Sequence, residues 1–256
     1  MINRIFAWLA DGAHWQGDDG IVRRVFEHLE YSVSAVLIAA LIAIPLGLYI
    51  GHTGRGRFLV VSALGSARAI PSLGLLFLAV LVLGPRLRGD VAFLAPTGLV
   101  LVVLAIPPIL SGAYAGVEGV DPAARDAAKG MGMRGTEILR HVEFPCALPL
   151  ILSGVRSAML QVIATATIAA VVGLGGLGRF LIDGLAVRDT PKTASGAILV
   201  AILALIVDTA LALVQRSIVS RGLTGRYGKV HMVDADSAAA TPSTPSTPAP
   251  ALQHSV

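Results

Sequence analysis

Residues 31–50 form an uninterrupted apolar run with no charged side chain. A helix of that length, rising 1.5 Å per residue, matches a bilayer hydrocarbon core about 30 Å thick. The pattern returns at 58–83, 91–115, 147–172 and 194–214, broken only by Arg68, Arg156 and Asp208. Runs of this kind restrict the chain to an all-α, polytopic membrane protein with about five transmembrane helices. Composition agrees: charged residues are 14% of the 256, against about 25% in soluble domains, and mean hydropathy is +0.76.

The charge distribution bears on topology rather than on nucleic acid. The formal charge is +4, which suits basic loops that orient a membrane protein and meet anionic lipid. Aromatic residues are 5% of the chain, too few for a base-stacking platform. The one cysteine, Cys146, rules out an internal disulfide, and the six histidines follow no metal-ligand spacing, so no metal is expected. Met1–Ala10 lacks the pattern of a secretory signal, and the first span is expected to insert by itself. Five spans place the termini on opposite sides. With the start outside, ten basic residues fall inside and eight outside, leaving Arg68 and Arg156 unassigned. That bias puts the 121–149 interruption in the cytoplasm.

Around the spans, residues 1–30 read as a lead-in. Val22, Val25, Phe26 and Leu29 have helical spacing, which predicts an amphipathic helix on the membrane surface. Pro45 with Gly47, and Pro107 with Pro108, are expected to kink or break their helices. Arg68 is expected near the cytoplasmic boundary or inside the protein. Residues 231–256, with their Thr-Pro-Ser repeats, cannot bury a core and are expected to be disordered.

The polar interruption itself reads as two short helices, 122–130 and 135–143, separated by a glycine turn. Ala127 and Ala128 permit close approach to a partner surface. Gly132 ends the first helix and allows a sharp turn, and Pro145 is expected to end the second and direct the chain into the fourth span.

Asp126-Ala127-Ala128, three residues, Gly132, nine residues, then Val142-Glu143-Phe144-Pro145 resembles the "EAA" signature of bacterial ABC importer permeases. Asp126, Val142 and Phe144 stand where that signature has Glu, Ile and Leu. His28-Leu29-Glu30, Ile70-Pro71-Ser72-Leu73, Val120-Asp121-Pro122, Gly154-Val155-Arg156 and the glycines from Gly173 to Gly178 are similar to the quaternary-amine subfamily. The resemblance implies a MetI-like permease fold in the bacterial cytoplasmic (inner) membrane. It implies three kinds of partner: a second permease subunit, identical or paralogous; cytoplasmic ABC ATPases, which would hold the ATP and Mg; and an extracytoplasmic substrate-binding protein. The substrate would be an osmoprotectant such as glycine betaine, choline or carnitine. Asp126, Ala127, Ala128, Gly132, Val142, Phe144 and Pro145 would form the ATPase-coupling element. An importer of another small solute, such as methionine or taurine, shares the signature, and a membrane scaffold without transport is the reading from another class.

Gly173, Gly175 and Gly178 fit the dinucleotide fingerprint GxGxxG, but the apolar run before them is too long for a strand, so a nucleotide-dependent enzyme is not expected. With Gly176 they read as a tight loop or a hinge. No GxxxxGK[ST] occurs, so the chain is not expected to hydrolyse ATP itself. The small-residue stretch 164–170, with Thr165 and Thr167, suits either helix packing or a pathway lining. Arg156 and Asp208 fall at similar depth in the fourth and fifth spans. They either pair with each other, or Arg156 reaches headgroups while Asp208 meets backbone or water.

Overall fold

The computed structural model describes residues 1–58 and 71–219, and every regular element in them is helical. Arg68, the start of the second apolar stretch and the 231–256 tail lie outside the described residues.

A short helix α1 (Ile2–Ala10) precedes α2 (Ile21–Thr53), which is 33 residues long. The surface helix expected over 22–29 is therefore the first turns of the same helix that crosses the membrane. The physical reason is simple: no glycine or proline lies between Ile21 and Ile44, so nothing interrupts the hydrogen-bond ladder. Ser32, Ala35, Val36, Ala39, Ala43 and Ile50 form its buried stripe, at the i, i+3, i+4 spacing of one helix face. Leu37 and Leu41 on the opposite side are exposed and apolar, as a lipid-facing surface requires.

Helix α3 (Ser72–Leu83) is the described part of the second stretch. Helix α4 (Val91–Glu118) continues through Pro96, Pro107 and Pro108; the break expected at Pro107-Pro108 does not occur. Two consecutive prolines remove the donors for the carbonyls of Val103 and Leu104. Gln161 of a neighbouring helix supplies one of them, its Nε2 donating to the Leu104 carbonyl at 3.2 Å. A membrane helix tolerates proline where a neighbour repairs the ladder in this way.

Helix α5 (Pro122–Gly130) follows, then α6 (Gly135–Ile138). A π-helical turn over Leu139–Glu143 passes directly into α7 (Phe144–Ala169). Pro145 thus does not end a helix. It stands in the first turn of α7, and the wider π turn before it accommodates the ring. Helix α8 (Gly178–Ala186) lies between α7 and the last long helix, α9 (Thr190–Ile218).

Four of these helical stretches are long and apolar enough to cross a membrane: Ile21–Thr53, Val91–Glu118, Gly135–Val172 and Thr190–Ile218. Helices α2, α4 and α7 supply most of the core, and α4 crosses α7 at close range. A Cβ on Gly112 would stand 2.4 Å from the Leu150 carbonyl oxygen, and one on Gly154 2.6 Å from that of Pro108. Glycine on both sides of the crossing lets the backbones meet where lipid provides no hydrophobic force.

Candidate functional site

The coupling candidates gather at one end of the bundle. Asp121 caps α5, its carboxylate accepting from the Ala123 N–H at 2.9 Å, and Pro122 opens the first turn. At the other end Gly132 has φ +85°, the left-handed conformation that reverses the chain. The Met133 N–H then returns to the Ala128 carbonyl at 3.1 Å, and the Arg134 N–H donates to the Glu137 carboxylate at 2.7 Å to start α6. Only Ala128 on α5 is fully buried. Asp126 and Ala127 are exposed, and Asp126 pairs with Lys129 at 3.1 Å. On the following turn Val142 and Pro145 are half-buried, and Phe144 is 36% exposed. The sequence-derived set therefore divides. Ala128 anchors α5, while Asp126, Ala127 and Gly132 face outward with room around them.

Beneath this surface is a charged cluster that motif reading missed. Glu143 is only 2% exposed. Its Oε1 lies 2.7 Å from Arg125 Nε on α5, and its Oε2 lies 2.6 Å from His52 Nδ1 in the last turn of α2. Arg125 also donates to the Val117 carbonyl at the end of α4. Glu143 stood inside the recognised signature, yet its partners are 18 and 91 positions away. The one available signal was its acidity between Val142 and Phe144, at the mouth of an apolar span.

The glycine loop lies at the opposite end. Its Gly176 N–H donates to Glu27 Oε2 at 2.9 Å, and Arg24 donates to the same oxygen at 2.8 Å. His28 is buried against the loop, its Nε2 3.1 Å from the Ile163 carbonyl. A Cβ on Gly175 would stand 2.5 Å from Glu27, and one on Gly178 2.2 Å from the Thr167 carbonyl oxygen. Gly173 and Gly176 both have positive φ. The loop thus packs backbone-first onto the start of α2. Thr165 and Thr167 donate to their own helix, at the carbonyls of Gln161 and Ile163, both at 2.9 Å.

Between the two ends, α3, α4 and α7 border a groove of about 470 Å³. Among the described residues its polar side chains are Ser111, Ser153, Ser157 and Gln161, and none of them is charged. A further ion pair lies elsewhere, between α7 and α9. There Arg156 and Asp208 meet as a two-pronged pair, with the second guanidinium nitrogen 2.5 Å from Oδ2.

Comparison with known proteins gives a consistent picture. The profile of the "binding-protein-dependent transport system inner membrane component" family matches residues 35–220. The glycine betaine/carnitine/choline transport system permease protein OpuCB of Bacillus subtilis is 35% identical over 199 residues, covering 78% of this chain and 88% of that one. The osmoprotectant import permease protein OsmW of Salmonella typhimurium is 31% identical over 218 residues, covering 83% of this chain and 99% of that one. Among solved structures, a chain of the inward-facing MetNI methionine ABC transporter superposes with a TM-score of 0.66. It covers 78% of this chain and 96% of that one at 21% identity, and so speaks to the fold alone.

Proposed function

The chain belongs to the family of binding-protein-dependent transport system inner membrane components, and from that premise we propose that it carries a quaternary-amine osmoprotectant through the groove between α4 and α7. It is a multi-pass permease subunit of an ABC importer in the cytoplasmic membrane. Membership implies a partner ATPase and a substrate-binding protein. In our reading the outward face of α5 is where the ATPase docks, on the cytoplasmic side. ATP and Mg then act in the partner, and this chain passes on the movement. A second permease subunit completes the pathway.

The observation that carries the substrate reading is the chemistry of the groove. Among the described residues, hydroxyls and an amide line it without a fixed charge. A zwitterion such as glycine betaine or carnitine has no net charge to offset, and its permanently charged nitrogen is served by hydroxyl and amide dipoles rather than by an aromatic cage. Both Thr165 and Thr167 spend their hydroxyls on their own helix. In this reading they pack the bundle, and the pathway contacts fall to Ser111, Ser153, Ser157 and Gln161. The compact glycine loop, Gly173 to Gly178, serves as a fixed dock rather than a hinge.

Uptake of labelled glycine betaine, choline and methionine, by cells with and without the partner ATPase gene, tests this reading. ATPase-dependent uptake of glycine betaine or choline, and not of methionine, is the expected result. Methionine uptake alone would overturn the substrate class. Uptake of none of the three, with the complex assembled in the membrane, would favour a scaffold.

A further inference from the structure

Glu143 invites a reading beyond packing. A carboxylate that is 2% exposed in an apolar bundle is costly unless it is paired and hydrogen-bonded. Here one oxygen is hydrogen-bonded to His52, at the end of α2, and the other is ion-paired with Arg125, in the middle of α5. Through Arg125 and the Val117 carbonyl, the same cluster reaches the end of α4. Glu143 itself opens α7. One buried side chain therefore ties the short helix α5 to the ends of all three core spans.

Without this cluster α5 is weakly held. It is nine residues long, only Ala128 of it is fully buried, and the chain leaves it through the left-handed Gly132. A helix fixed by one alanine and a glycine turn can roll when pushed. Movement passes to the spans only if the element that receives it is fixed to them.

We infer that Glu143 is a positioning residue that locks α5 through Arg125, and α2 through His52, onto the head of α7, so that a push on α5 moves the spans instead of turning α5 in place. The inference rests on the reading above that an ATPase docks on α5.

The test uses the complete importer, this permease with its ATPase and binding protein, reconstituted in proteoliposomes. ATP hydrolysis and uptake are measured on the same sample. Glu143→Gln keeps the shape of the side chain and removes its charge. The complex should still assemble and hydrolyse ATP, while uptake per ATP falls about tenfold, within the usual range of coupling between sites. The double variant Arg125→Met/Glu143→Leu removes the buried pair altogether, which costs little stability when both charges go. Its abundance should stay close to wild type while uptake per ATP stays low. Wild-type uptake per ATP in either assembled variant would overturn the lock. If abundance and coupling both returned in the double variant, the cluster would be structural only. If the wild-type complex hydrolysed ATP without any uptake, the transport reading would fail, and the lock with it.

Discussion

The two ends of the bundle each have a glutamate at their centre, and they use it differently. At the glycine-loop end, Glu27 accepts from the Gly176 N–H and from Arg24 of its own helix, and the loop brings backbone rather than side chains to its contact with α2. At the α5 end, Glu143 holds two other side chains, and the glycines of the turn, Gly130 and Gly132, have nothing within 4 Å of a would-be Cβ. Backbone packing leaves no slack. Side-chain ion pairs fix an element while keeping its outer face clear. The first arrangement suits a permanent dock, and the second suits an element that must both be held and be touched by something else.

The same substitution at either end separates the two. In Gly178→Ala the new methyl would stand 2.2 Å from a backbone oxygen, which cannot swing aside. Overpacking of this kind costs about 1–3 kcal/mol or more. We expect a large loss of monodisperse protein when the detergent-solubilised permease is run by size exclusion. Gly130→Ala adds its methyl in open space near the end of a helix, where alanine is favoured over glycine by up to about 1 kcal/mol. It should run like wild type. Equal losses at the two positions would break the contrast between a backbone-packed and a side-chain-fixed end.

An intermediate effect is expected at the ion pair that belongs to neither end. Arg156 and Asp208 join α7 to α9, and most of α9 is otherwise unburied within this chain. Either single reversal, Arg156→Asp or Asp208→Arg, sets like charges together and should lower the amount of assembled importer and its uptake. The double reversal, Arg156→Asp/Asp208→Arg, should recover a clear part of both. A double variant no better than the singles would show that the two charges act independently.

These contrasts also mark what the sequence could and could not reveal. Helix α5 was readable to the residue because its limits are local: a capping Asp121, Pro122 in the first turn and glycines at the end. Arg156 and Asp208 were readable as candidates because opposite charges in two apolar runs are rare and fell at one depth. Pro145 misled because proline has two local outcomes, ending one helix or opening the next, and the π turn that decides between them leaves no clear sequence pattern. His52 and Glu143 were invisible as a pair, since their contact depends on how α2 and α7 are rotated about their axes. The glycines of the α4–α7 crossing were passed over for a similar reason: a small residue marks a close approach only once its partner helix is known.

The smallest expected effect tests whether the α5 end is as open as it looks. Gly132 has φ +85°, so any Cβ there carries the left-handed strain of an L-residue, about 1–2 kcal/mol. The space around it is empty, so strain is the whole cost within this chain. Gly132→Asn, with a side chain that tolerates this conformation, should leave the isolated permease close to wild type in thermal stability, and Gly132→Ala should lower it only slightly. Loss of stability in the isolated chain as large as for Gly178→Ala would mean that the turn is packed after all. Binding of the ATPase is then the sharper reading. Gly132→Trp has the same backbone strain as alanine and adds bulk on the outer face. If it co-purifies ATPase as well as Gly132→Ala does, nothing docks over the turn, and the docking surface has to be moved along α5 towards Asp126 and Ala127.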